Sequence, residues 1–307
     1  MAEPTPPAKP SKAIVFARRT LSTVSLWGLI AFIFASHKSL GMICLVDGLT
    51  MIAMVEYFRM MRAAGTPCFP CFGIALAAFY TAYLSWFFYQ GGKTVPPDID
   101  AFAIFLAVAV PFALQLRHPI KGLESLTGVA INLMGFVYVP FLFHFCTRLT
   151  FMPAGANPGD GILGAPGAFL LLWLLTVTKF TDMGAYIVGS MLGRHKMIPH
   201  VSPGKTWEGF LGALFFPQLA ACGLYGWFPQ HLAILGGWPH VIFLGFLLSV
   251  LAVIGDLAES VVKRALNAKD SGRMLPGIGG SLDLIDSLCF TAPALYFYIK
   301  WVLLPHA

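Results

Sequence analysis

Asp256, Asp283 and Asp286 are the residues of this 307-residue chain whose types and spacing point most directly to chemistry. Asp256 ends a stretch from Gly209 to Gly255 that holds no Asp, Glu, Lys or Arg, so a carboxylate there calls for a reason. Asp283 and Asp286 are three residues apart and share one face of a helix. Two carboxylates facing a third suit a hard divalent cation, because Mg²⁺ takes one or two carboxylates and completes its shell with substrate phosphates. These three aspartates are the candidate metal ligands. The other reading of Asp283 and Asp286 is that they favour the N-terminus of the last helix.

Candidate anion-binding groups surround them. Ser260 and Lys263 continue the helical stripe of Asp256, with Arg264 next in the chain and Glu259 placed to pair with Lys263. Lys269 and Asp270 follow. Then comes Pro276-Gly277-Ile278-Gly279-Gly280, where Gly279 and Gly280 permit close backbone approach and an anion-cradling turn. Upstream, Asp182 lies on one face with Thr178 and Tyr186, and Lys179 is adjacent. That group forms either a cavity wall or an ion pair joining helices. Ser202, Lys205 and Thr206 place two hydroxyls and a point charge just before a helix start, a favourable phosphate environment. Gly204-Lys205-Thr206 looks like the end of a phosphate-binding loop, but Pro199 stands where that motif needs glycine. Ser202 or Thr206 could equally cap the helix. In the N-terminal half, Glu56 is the clearest intramembrane carboxylate and is expected to pair locally with Arg59 or Arg62.

The elements that position these groups are membrane helices. Hydrophobic residues make up 57% of the chain and charged ones 11%, with a mean hydropathy of +0.75. A soluble domain is about a quarter charged, which argues against that class. Apolar segments at 22–36, 40–61, 70–90, 100–117, 125–146, 166–190, 208–228, 239–263 and 281–304 mostly reach the ~17–25 residues a spanning helix needs. The predicted fold is therefore all-α: a polytopic integral membrane protein with about nine transmembrane helices and the active site in the C-terminal half. Residues 1–20 read as a cytoplasmic tail, 21–165 as N-terminal transmembrane helices and 166–307 as the catalytic region of one continuous membrane domain.

Basic residues set the orientation. They collect before the first segment (Lys9, Lys12, Arg18, Arg19), then at Arg59 and Arg62, at Arg117 and Lys121, at Arg194, Lys196 and Lys205, and at Lys263, Arg264, Lys269 and Arg273. The intervening loops are read as holding only Lys38, Lys93 and Arg148. This alternation predicts the inner (plasma) membrane, a cytoplasmic N-terminus and a cytoplasm-facing site. The net charge of +6 is accounted for by the membrane surface and by nucleotide phosphates, with no nucleic-acid partner expected. Cys68 and Cys71 form a single C-x-x-C without the further ligands of a structural zinc site.

Several ordered motifs also carry a family resemblance. Ser260-x-x-Lys263-Arg264-x4-Lys269-Asp270 followed by Pro276-Gly277-x-Gly279-Gly280-x-x-Asp283-x-x-Asp286 resembles the signature of the phosphatidate cytidylyltransferases, or CDP-diacylglycerol synthases. Thr181-Asp182-x-Gly184-Ala185-Tyr186, Ser202-Pro203-x-Lys205-Thr206-x-Glu208-Gly209 and Gly255-Asp256-Leu257-x-Glu259-Ser260 are similar to that family too. The similarity covers about residues 166–307. Ile278 and Leu284 depart from it, standing where the family usually has His and Arg.

The resemblance implies transfer of CMP from CTP to phosphatidic acid in the bilayer, assisted by Mg²⁺. The sequence leaves open a second cation and a homodimeric assembly. Asp256, Asp283, Asp286, Lys263 and Asp182 would be catalytic. Ser202, Lys205, Thr206, Ser260, Arg264, Lys269, Gly279 and Gly280 would bind substrate. The rival readings are a cytidylyltransferase for another lipid phosphate, a CTP-dependent polyprenol kinase and a membrane transporter.

Overall fold

The computed structural model describes residues 25, 27–92, 94–152, 165–268, 271–272 and 279–304. A short helical stretch, α1, occupies 27–35. It is followed by α2 (Ser39–Ala63), α3 (Pro70–Tyr89), α4 (Pro97–Gln115) and α5 (Leu123–Phe136), which runs through a π turn at Val137–Phe141 into α6 (Phe145–Thr150). The second half holds α7 (Ala168–Leu192), a hairpin of β1 (Lys196–Ile198) and β2 (Ser202–Thr206), then α8 (Trp207–Trp227), α9 (Trp238–Ala265) and α10 (Ser281–Tyr298). Counting α5–α6 as one span, eight helices among the described residues are long and apolar enough to cross a membrane. The predicted first segment, 22–36, is described only in part. Large apolar side chains such as Phe79, Trp86, Phe105, Leu211, Phe215 and Phe246 are exposed on the outside of the bundle. That pattern is stable against lipid and unfavourable against water. The protein is a multi-pass membrane protein.

Local chemistry fixes the helix starts. Proline stands in the first turn of α3, α4 and α9, where its missing N–H costs nothing. The Oγ1 of Thr206 caps α8 by accepting from the amide of Gly209 at 3.1 Å. Pro140 sits within the π turn that joins α5 to α6, a wider coil that relieves the clash of its ring.

Glycines then let helices approach one another at backbone distance, the usual device where lipid gives no hydrophobic drive. A Cβ on Gly184 of α7 would fall 2.4 Å from the carbonyl oxygen of Gly212 on α8, and the reverse holds for Gly212. A Cβ on Gly255 of α9 would lie 2.7 Å from the carbonyl oxygen of Asp286 on α10. The indole of Trp173 donates to the carbonyl of Ala221 at 3.1 Å and ties α7 to α8 further along.

Two features differ from the sequence reading. The segment between α7 and α8, expected to be loop, contains an antiparallel hairpin with Lys196 opposite Thr206 and Ile198 opposite Ser202. Arg148 is not a loop residue. It lies within α6, is buried, and pairs with Asp100 of α4 at 2.7 Å, while the hydroxyl of Tyr80 on α3 donates to the same carboxylate at 2.9 Å. A buried guanidinium is tolerable only with such a partner.

The α9–α10 contact predicts a specific sensitivity. Gly255→Val places a branched side chain against backbone that cannot yield, so overpacking should lower the melting temperature in detergent by about 5 °C or more. Gly223 of α8 has open space where its Cβ would go, so Gly223→Ala should leave that temperature unchanged or higher. Equal behaviour of the two variants would contradict the contact.

Candidate active site

The site lies at the end of the bundle where α7 and α9 finish and α8 and α10 begin. Asp256 and Glu259 sit one turn apart on α9, and Asp286 faces them from α10 across the close approach at Gly255. One carboxylate oxygen from each of Asp256, Glu259 and Asp286 lies within 4.8 Å of the others. Glu259 is 1% exposed and Asp286 5% exposed. The Oε1 of Glu259 is buried and has no donor among the described residues. Asp286 accepts only the amide of Ser287 among the described residues. Buried carboxylate oxygens left short of partners at this spacing are a donor set suited to a hard cation.

Asp283, expected among the metal ligands, is placed differently. Its Oδ1 accepts from Lys263 at 2.6 Å, and its Oδ2 accepts from the hydroxyl of Ser271 at 2.6 Å and the amide of Gly280 at 2.7 Å. Lys263 also donates to Glu259 at 2.6 Å. One lysine thus links two carboxylates and joins the end of α9 to the start of α10. Gly279 has φ +127, and a Cβ there would lie 2.5 Å from the Oδ2 of Asp283. Glycine is needed at this position for both backbone and space.

A second set of groups lines a cavity of about 470 Å³ between α7, the hairpin, α8 and α9. Asp182, Ser202, Lys205, Thr206 and Asp256 all face it. Lys205 pairs with Asp256 at 2.7 Å and donates to the carbonyl of Val253 at 3.4 Å. Lys179 lies 3.6 Å from Asp182 and donates to the carbonyl of Leu284 at 3.3 Å. The hairpin that carries Lys205 is anchored by Glu208, which accepts from the amides of Arg194 and His195 and bonds the ring of His195 at 2.6 Å. Arg264 is exposed and donates to the carbonyl of Val201 at 3.2 Å, holding the hairpin tip against the end of α9. Ser260 is half-buried on α9. Lys269 lies outside the described residues, as do Asp270, Arg273 and Pro276 through Ile278.

Glu56 is the residue whose place sequence reasoning missed. It reaches the start of α10, where its Oε2 accepts the amide of Leu282 at 3.1 Å. It is 4% exposed. A Cβ on Gly272 would lie 2.0 Å from its Oε1, and one on Gly280 2.5 Å from its Oε2. A carboxylate at a helix N-terminus offsets the unpaired amides there. The available signal was a lone intramembrane Glu beside nearby arginines, which resembles a local pair.

Comparison with known proteins agrees with the motifs. Residues 17–302 match the Cytidylyltransferase family. The chain belongs to that family. It is 32% identical over 275 residues to the phosphatidate cytidylyltransferase of Synechocystis sp., covering 82% of this chain and 86% of the relative. It is 38% identical over 179 residues to the phosphatidate cytidylyltransferase of Staphylococcus aureus, covering 57% of this chain and 60% of that protein. It is also 33% identical over 204 residues to the uncharacterized protein YnbB of Escherichia coli, covering 66% of this chain and 64% of that protein. The E. coli and staphylococcal matches span less than two thirds of those relatives' lengths.

The Glu56 contact makes its own prediction. Glu56→Leu leaves the buried amide of Leu282 without an acceptor, at a cost of about 1–3 kcal/mol in stability. Turnover should drop by about ten-fold as α10 loses its fixed start. Glu56→Gln keeps an acceptor oxygen and should recover most of that loss. Equal activity of Glu56→Leu and the parent protein would contradict the contact.

Proposed function

We propose that this protein transfers CMP from CTP to phosphatidic acid, giving CDP-diacylglycerol and pyrophosphate, with the site on the cytoplasmic side of a bacterial inner membrane. The observation that carries the reading is the meeting, in a member of the Cytidylyltransferase family, of three close carboxylates with Lys205 and Lys263 beside a polar cavity. The orientation follows from Arg59, Lys205, Lys263 and Arg264, which collect at the site end of the bundle.

The reaction needs no protein nucleophile. An oxygen of the lipid phosphate attacks the α-phosphorus of CTP. A new P–O bond forms, the bond between the α-phosphorus and its bridging oxygen breaks, and the pyrophosphate leaves with that electron pair. The protein has to align two anions and offset the charge growing on the leaving group. Asp256, Glu259 and Asp286 would hold Mg²⁺, in place of the set of Asp256, Asp283 and Asp286 expected from the sequence. Such a cation supplies charge neutralisation and a template for phosphate oxygens.

Lys205, held by Asp256, and Lys263, held by Glu259 and Asp283, would meet phosphate oxygens at either side of the acidic group. Ser202 and Thr206 add hydroxyls on the cavity wall, and Asp182 steadies Lys179. Ser260, Arg264, Lys269, Gly279 and Gly280 complete the proposed substrate-binding set. Asp283 acts by positioning Lys263 and the glycine turn.

Label position tests the reaction. CTP labelled at the α-phosphorus should yield labelled lipid when phosphatidic acid is supplied, and γ-labelled CTP should not. Transfer of γ-label to a neutral prenol would instead identify a kinase. Asp256→Asn, Glu259→Gln and Asp286→Asn should each lower turnover by about two orders of magnitude. Near-normal activity of all three across a Mg²⁺ titration would contradict the cation assignment. His195→Cys and Ser271→Cys, in a background without the six native cysteines, should resist impermeant thiol reagents in intact cells. Ready labelling from outside would reverse the orientation.

A further inference from the structure

Lys179 stands at the boundary of two spaces with opposite character. Toward the end of α7, Asp182, Tyr186 and Gly189 line the polar cavity. In the other direction, Lys179 closes a cleft of about 230 Å³ whose remaining walls are almost entirely apolar. Leu171 and Leu175 lie two turns and one turn back along the same stripe of α7. Leu45 and Leu49 of α2 and Leu288 of α10 face them, and Trp27 and Ile30 of α1 partly cover the cleft. From Lys179 to Leu171 the cleft runs roughly 12 Å at the rise of a helix. At ~30 Å³ per water-sized group, it takes roughly seven or eight such groups, the headgroup-proximal half of one hydrocarbon chain and too little for two.

We propose that this cleft holds an acyl chain of the lipid phosphate and that Lys179 meets the phosphate at its polar end. The inference rests on the lipid-phosphate reading given above and adds to it a place for the lipid. Three observations converge on that occupant. The cleft lies within membrane-spanning helices, so hydrocarbon is the ordinary medium around it. Its polar end is a cation, which suits an anionic headgroup and would be costly beside a neutral one. It adjoins, across the Lys179–Asp182 pair, the cavity that Lys205 and Asp256 line.

A chain seated there points away from the site end and toward the bilayer interior, as the tail of a lipid from the adjoining leaflet does. Leu284 serves both sides of the boundary. Its carbonyl accepts from Lys179, and its side chain forms part of the apolar wall. Lys179 exchanges its present weak contacts, at 3.6 and 3.3 Å, for a phosphate oxygen without leaving a stronger pair.

Two measurements test this. The first uses the parent protein with a phosphatidic acid carrying a diazirine at about the fifth carbon of one acyl chain, within the length the cleft holds. After photolysis, label should map to cleft residues on α2, α7 and α10. Label confined to outward-facing residues such as Phe105 and Phe215 overturns the proposal, and this reading does not depend on turnover.

The second compares dioleoyl with diacetyl phosphatidic acid, whose two-carbon chains leave the cleft empty. Leu175→Trp and Leu45→Trp fill the cleft and should lower the ratio of kcat/KM for the long lipid over the short one by about ten-fold, since several buried methylenes lose their place. Lys179→Met should raise the lipid KM by about ten-fold and that of CTP far less. An unchanged ratio in active cleft-filled variants overturns the proposal. Failure of the parent protein to form any CDP-lipid would instead count against the reaction, with the cross-linking result standing by itself.

Discussion

The active end of this protein depends on Lys263. Its ammonium lies 2.6 Å from both Glu259 and Asp283, so one cation holds two carboxylates and two helices. Helices in lipid gain little from hydrophobic contact with one another, and a buried charge without a partner is costly. The pair therefore fixes the end of α9 against the start of α10 and leaves the other oxygen of Glu259 buried without a partner among the described residues, in a residue grouped with Asp256 and Asp286. Gly255 completes the arrangement by letting the two backbones meet beside those carboxylates. Among the described residues the acidic group is thus under-compensated, which is the condition under which a divalent cation and phosphate charge can enter together.

The N-terminal helices take part in this arrangement. Glu56 of α2 accepts the amide of Leu282, and the hydroxyl of Ser281 donates to the carbonyl of Leu49 at 3.0 Å. Both contacts seat the first turn of α10, on which Asp283 lies. The Arg148–Asp100–Tyr80 group joins α3, α4 and α6 in the same half of the chain. Of these helices α2 and α6 pack against α10, and α2 supplies a wall of the apolar cleft.

Much of the fold was legible because its signal is coarse. Apolar runs of bilayer length mark the spans, and the predicted segments 70–90, 166–190, 208–228 and 239–263 coincide closely with α3, α7, α8 and α9. The motif residues were legible as a set because charge in an apolar run is conspicuous. Their pairing was not, because helix periodicity gives the face of one helix and says nothing of its rotation against the next. Asp283 and Asp286 share a face by spacing, yet one turns to Lys263 and the other to Asp256 and Glu259. Glu56 lies 226 positions from Leu282, and no local pattern reports such a contact. Arg148 looked like a loop charge because its partner, Asp100, is 48 positions away. The hairpin before α8 was hidden by its Pro and Gly, which read as loop.

The most direct test is to locate the cation. Crystals or grids of the protein prepared with Mn²⁺ and a non-hydrolysable CTP analogue would show it by its scattering. The ion should be in direct contact with oxygens of Asp256, Glu259 and Asp286, with Lys263 still joining Glu259 to Asp283. An ion bound instead through Asp283 with Lys263 displaced, or no ion near the three carboxylates when the nucleotide is bound, would contradict it.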